Sequence, residues 1–176
     1  MPNCKRRWSP WHDLPLDEMK AYGPRLSPET IRLIEGFLGI EEYVGDYVLE
    51  SLELFRNNRT RRNLQLQWGA EELKHSTAWE LVLLHSGART DEQIEVYLDK
   101  VREHRWSVKN HAGADTPLGV TIYSMVQERA TFFNYQLTLR SRAGFYRRGR
   151  GERRDLPGNP LCALCVLGGK MVFCVR

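Results

Sequence analysis

The spacing of apolar residues predicts three long helices and one shorter helix. Apolar side chains recur every three or four positions over residues 27–55, 64–85 and 117–143, and again over about 90–110. The first repeat opens with Ser and Pro, which is typical of a helix start, and the second closes at Ser-Gly, which is typical of a helix end. Residues 1–27, rich in Pro and Trp, read as an extended lead-in.

Long helices joined by short connections predict an all-α, antiparallel helical bundle. We divide the 176-residue chain into a helical domain over 1–144 and an irregular tail over 145–176. No apolar run approaches the roughly 18–20 residues that span a bilayer, and the N-terminus lacks the apolar stretch of a secretory signal. A soluble, cytoplasmic protein without a membrane span is therefore expected.

The formal net charge of +4 is a property of the tail. From residue 140 onward, eight Arg and one Lys face Glu152 and Asp155, which gives +7 and leaves −3 for residues 1–139. The basic pI therefore does not predict that the helical body binds nucleic acid.

Polar residues interrupt the apolar stripe of each long helix near its midpoint. Glu41 lies on the first stripe, with Glu42 as an alternative; Glu72 and His75 lie one turn apart on the second; Glu128 lies on the third. An unpaired carboxylate is costly inside a bundle, and several carboxylates that converge repel one another unless a cation joins them. This pattern predicts a metal site, whereas an ion pair of a buried Glu with Arg61 or Arg129 is the structural alternative.

Four stretches of the chain are distinctive: "RRWSPWHDLP", "GIEEYVGDY", "WGAEELKHSTAWELVLLHSGARTD" and "YSMVQERATFFNYQ". Over residues 6–143 they resemble the soluble acyl-[acyl carrier protein] desaturases, with W-x-A-E-E-x-x-H followed by L-x-S-G, and with Q-E-R-A-T-F intact. The resemblance implies a ferritin-like bundle and a di-iron (Fe2+) centre. The metal ligands it implies are Glu41, Glu72, His75 and Glu128.

The resemblance also implies an activity, namely the O2-dependent introduction of a cis double bond into a carrier-bound fatty acyl chain. Its implied partners are acyl carrier protein and a ferredoxin-type electron donor, and its implied assembly is a homodimer. Thr131 matches the threonine beside the oxygen-binding side of the cluster, and Trp8 a tryptophan near the metal. Hard carboxylate oxygens suit iron in high oxidation states. The dry interior of the bundle would shield the oxidant that the two irons form with O2 from side reactions.

The segment "RNNRTRRN" is predicted to separate the first two long helices. It contains the only basic cluster in the helical body: Arg56, Arg59, Arg61 and Arg62. Because an acyl carrier protein is acidic, this cluster is a candidate contact for it. A solvated loop between helices is the alternative.

The tail departs from the resemblance because a second Glu-x-x-His and the fourth core helix that would carry it are missing. We interpret residues after 144 as a truncated or frame-shifted continuation, and expect this chain to be inactive. Two other interpretations are a zinc or redox site at Cys162, Cys165 and Cys174, and an Arg-Gly tail for nucleic acid or acidic partners.

Two other functions remain alternatives to the desaturase. One is a non-catalytic metal-binding or scaffold bundle that retains half of the site. The other is a different di-iron oxygenase, such as an arylamine N-oxygenase, which fits Q-E-R-A-T-F less well.

Overall fold

A computed structural model describes residues 8–111 and 113–146, with side chains through residue 133. The described part contains helices and no β-strand, which confirms the all-α class. The helices are α1 (Pro10–Asp13), α2 (Leu16–Tyr22), α3 (Pro28–Glu41), α4 (Val44–Leu54), α5 (Arg59–His85), α6 (Asp91–Arg102) and α7 (Pro117–Tyr146). None of these described helices has the length and apolarity needed to cross a membrane.

The chain divides into two compact units inside α7, the first ending at Ile122 and the second beginning at Tyr123. The predicted domain boundary at residue 144 stays a prediction. Residues 147–176, with the interpretations of the cysteines and of the basic tail, lie outside the described residues.

The lead-in is helical, so the prediction of an extended segment over residues 1–27 is wrong for most of its described part. Pro10 occupies the first position of α1, where its missing N–H costs no hydrogen bond. The Asp13 carboxylate accepts a hydrogen bond from the Ser9 backbone N–H at 2.7 Å. Leu14 and Met19 are buried, so apolar contacts hold this segment in place.

The first long helix begins where it was predicted but is broken in two. The Ser27 hydroxyl caps α3 by accepting a hydrogen bond from the Thr30 N–H at 3.3 Å. Two residues, Glu42 and Tyr43, then separate α3 from α4. Neither is Pro or Gly, so no strong local signal marks this break.

The predicted interruption over residues 56–63 is shorter than expected. Asn58 caps α5 by accepting a hydrogen bond from the Arg61 N–H at 3.0 Å, so that α5 begins at Arg59. The arginines after Asn58 therefore lie on the first turn of a 27-residue helix. That helix ends at His85, as predicted.

Helix α5 runs antiparallel to α3 and α4. Phe37 stacks on Trp79 with ring centroids 5.1 Å apart, while Val48, later in the chain, contacts Gly69, earlier in α5. A side chain at position 69 would overlap Val48 Cγ2, so glycine allows the close approach of α4. The buried apolar core of this pair includes Leu38, Trp79 and Leu83. The predicted stripe on α5 is buried only in its later turns, because Leu64 is exposed.

Helix α6 is shorter than the predicted 90–110. It starts at a capping box of Thr90 and Gln93, ends at Arg102, and buries Ile94 and Leu98. Helix α4 holds the segment that follows. Its Glu50 carboxylate accepts hydrogen bonds from the Val108 N–H at 2.8 Å and the Ser107 hydroxyl at 3.2 Å.

Candidate metal centre

Three of the predicted ligands meet between α3 and α5. Glu41 is the last residue of α3 and is only 7% exposed, while Glu72 and His75 face it from the middle of α5. Each residue offers one ligand atom, and these atoms all lie within 4.8 Å of one another. Because α3 and α5 are antiparallel, the end of α3 lies beside the middle of α5, and Glu41 lies next to Glu72 and His75.

The pair on α5 has the geometry of neighbouring metal ligands. His75 Nδ1 and Glu72 Oε2 are 2.9 Å apart, and both side chains are 12% exposed. Adjacent ligands of an octahedral ion at about 2.1 Å are separated by about 3.0 Å, so the two atoms already fit one coordination edge. Without an ion, a proton shared between them makes a hydrogen bond at this distance.

The charge of the group also suits a cation. Two carboxylates and a neutral imidazole carry about two negative charges, which a divalent ion would neutralise. Lys74, next to His75 in the chain, pairs with Glu71 instead, with its Nζ 2.9 Å from each carboxylate oxygen. The adjacent carboxylates of α5 therefore have different partners.

Trp8 covers the imidazole. Its ring stacks on His75 with centroids 5.9 Å apart and an interplanar angle of 20°. Lys74 Nζ lies 5.8 Å from the same indole centroid, which is within the range of a cation–π contact. An indole in this position shields one side of His75 from water and restricts rotation of its ring.

Glu42 is not part of the group. Its Oε1 accepts a hydrogen bond from Arg102 Nε of α6 at 2.7 Å. Of the two adjacent candidates for the first ligand, the structure therefore brings Glu41 to Glu72 and His75.

Glu128 and Thr131 belong to the second unit. They lie one turn apart on α7, where Glu128 is exposed and Thr131 is half-buried. Arg129, one of the proposed ion-pair partners, lies over the Phe133 ring at 5.2 Å. That Glu128 joins the other three ligands stays a prediction.

The basic cluster lies at the exposed corner between α4 and α5. Arg56, Arg59, Arg61 and Arg62 are all exposed. Arg56 pairs with Glu53 at 3.4 Å, and Arg61 lies over the Phe55 ring at 5.9 Å. The cluster is accessible to an acidic partner, while the contact itself stays a prediction.

Sequence reasoning missed the residues of α6 that bind the chain next to Glu41. Arg102 binds Glu42, and the Tyr43 hydroxyl donates a hydrogen bond to the Val101 carbonyl at 3.3 Å. The hydrogen bond to Glu42 raises the pKa of Arg102, so its guanidinium stays charged. No local pattern identifies these contacts, because they join residues about sixty positions apart.

Comparisons with protein-family models, with curated proteins and with solved structures returned no match.

Proposed function

We propose that this protein binds a divalent transition metal through Glu41, Glu72 and His75. The observation that carries the proposal is the position of their ligand atoms, within 4.8 Å of one another and largely screened from water. Iron is the proposed metal, because the donor set is rich in carboxylate and the sequence resembles a di-iron family. The proposed architecture is a ferritin-like bundle without its fourth core helix.

Glu128 is the proposed fourth ligand, supplied by α7. Complete di-iron bundles have six ligands, from two lone Glu and two Glu-x-x-His motifs, whereas four are proposed in this chain. The sequence has a single Glu-x-x-His, at Glu72 and His75. The proposed centre is therefore incomplete within this chain, and a full di-iron load would require further donors.

The proposed activity is that of an acyl-[acyl carrier protein] desaturase, for which this chain would need the donors of a second Glu-x-x-His. A bound di-iron centre would supply the oxidising power that removes hydrogen from an unactivated methylene. Glu41, Glu72 and His75 would hold the metal, and Trp8 would keep water from one side of His75. Thr131 is the proposed residue near the site of O2 reduction. Acyl carrier protein, a ferredoxin-type donor and a second copy of the chain are the proposed partners.

A non-catalytic metal-binding or scaffold bundle is the second candidate. Two observations favour it: the single Glu-x-x-His, and the hydrogen bond by which Glu72 and His75 satisfy each other without a metal. Such a protein would bind one ion or none, and would not convert a carrier-bound acyl chain.

Metal binding by the full chain tests the proposal. Anaerobic titration with Fe2+, followed by metal analysis, should show binding that Glu72→Gln and His75→Ala each weaken by at least about 10-fold. Glu71→Gln is the matched control, because Glu71 lies on the same helix but pairs with Lys74. Two irons per chain and a desaturated product by mass spectrometry favour the enzyme. One iron without product favours the second candidate, and no binding overturns the metal proposal.

A further inference from the structure

We infer that α6 positions the ligand Glu41, with Arg102 and Tyr97 as the positioning residues. This inference rests on the proposed metal function, and concerns residues that bind the chain on either side of Glu41.

Glu41 lies at a helix end that needs support. It is the last residue of α3, and the backbone leaves the helix at Glu42 and Tyr43. The Glu42 N–H bonds to the Leu38 carbonyl at 3.0 Å, and the Tyr43 N–H to the Ile40 carbonyl at 3.3 Å. Final turns of helices fray readily, so the direction of a carboxylate at such an end depends on what holds the turn.

Helix α6 holds the two residues that follow Glu41. Arg102 Nε donates to Glu42 Oε1 at 2.7 Å, and the Tyr43 hydroxyl donates to the Val101 carbonyl at 3.3 Å. Both contacts join the break between α3 and α4 to the last turn of α6. They oppose rotation of this segment about the axis of α3.

Helix α6 also holds the turns that precede Glu41. The Tyr97 hydroxyl donates to the Glu35 carbonyl at 2.8 Å. The same tyrosine lies so close to Gly39 that a Cβ there would overlap its hydroxyl. Residues of α6 therefore bind the chain both before and after Glu41.

Two carboxylates of α6 itself orient the guanidinium of Arg102 toward Glu42. Its Nη1 lies 3.0 Å from Asp99 and 3.3 Å from Glu95, both on α6 itself. The side chain is 45% exposed, and exposed ion pairs contribute little to the stability of a fold. Loss of Arg102 should therefore alter the geometry at Glu41 more than it alters the stability of the protein.

Co2+ binding to the full chain, followed anaerobically by its visible absorption, tests this inference. Arg102→Gln should weaken Co2+ binding by about 10-fold, the lower end of the effect of residues that orient metal ligands. The absorption spectrum should shift, and the melting temperature should change little. Tyr97→Phe, which removes only the hydroxyl, should weaken binding in the same direction.

Arg32→Gln is the matched control, because Arg32 forms an exposed pair with Glu29 within α3. It should leave affinity and spectrum unchanged. Arg102→Lys, which keeps a charged donor near Glu42, Asp99 and Glu95, should retain more of the affinity than Arg102→Gln.

Wild-type affinity and spectrum in both Arg102→Gln and Tyr97→Phe would overturn the inference and leave the proposed metal site intact. A wild-type chain that fails to bind Co2+ would overturn both the metal site and the inference. This outcome is recognised because the unmutated protein itself then shows no Co2+ absorption.

Discussion

Glu41 and Glu42 are consecutive in the chain, yet their carboxylates serve different helices. Glu41 lies with Glu72 and His75 of α5, whereas Glu42 accepts a hydrogen bond from Arg102 of α6. The pair thus places a candidate metal ligand and a contact between helices side by side at the end of α3.

This relationship predicts unequal effects of the same substitution. Glu41→Gln removes a charged ligand and should lower Fe2+ affinity by about 100-fold or more, whereas Glu42→Gln should lower it by about 10-fold. Anaerobic isothermal titration of both variants measures the difference. Equal losses, or a larger loss in Glu42→Gln, would contradict the assignment of Glu41 as the ligand.

The raised pKa of the Glu80 carboxyl predicts that Glu80→Gln stabilises the protein, and that this gain depends on pH. Burial, followed by the like charges of Asp91, Glu95 and Glu42, raises the pKa of its carboxyl. A raised carboxyl pKa means that the ionised form destabilises the folded state above that pKa, while no contribution remains once both states are protonated. Glu80→Gln should therefore increase the free energy of unfolding at about pH 7, and have little effect at about pH 3.5. Urea titrations at both values measure this, and a loss of stability near neutral pH would contradict it.

Gly69 predicts a packing penalty where α4 crosses α5. Gly69→Ala would force Val48 to shift, and should destabilise the protein by about 1–3 kcal/mol. Gly36→Ala is the control, because nothing lies within 4 Å of a Cβ there, and should stabilise α3 by about 0.5–1 kcal/mol. Urea unfolding compares the two. Adding Val48→Ala should relieve part of the overlap, and equal gains from both alanines would contradict the close approach.

The hydrogen bonds of Glu50 predict that its removal destabilises the protein where α4 contacts the segment after α6. Glu50→Ala leaves the N–H of the buried Val108 without its acceptor, which should cost about 1–3 kcal/mol. Glu53→Ala removes only an exposed pair with Arg56, and should cost no more than about 0.5 kcal/mol. Thermal melts distinguish the two outcomes. Similar small losses would show that Val108 finds another acceptor.

The arginines at the α4–α5 corner predict salt-dependent binding of an acidic carrier. Arg59→Glu combined with Arg62→Glu should weaken binding of acyl carrier protein by about 5-fold or more at low salt, and by less at high salt. Arg32→Glu on α3 is the control for a charge reversal elsewhere. Surface plasmon resonance at two ionic strengths measures the effect. Unchanged affinity at low salt would remove this corner as the contact.

Local signals in the sequence determined where several helices start and stop. Ser27 with Pro28 opens α3, Ser86 with Gly87 follows the end of α5, and Pro117 opens α7. These boundaries depend on side chains within one turn of the helix end, so the local sequence is enough to predict them. The i, i+3 spacing likewise predicts that Glu72 and His75 share one face of α5.

Only the tertiary structure decided how Glu41 comes to that face. The sequence offered two adjacent carboxylates on what reads as one continuous helix, and the structure ends α3 between them. The contacts that hold this break come from Val101 and Arg102, far along the chain. Which carboxylate turns toward α5 thus depends on the packing of α6 against α3, and no pattern within a helix encodes a contact between residues so far apart in sequence.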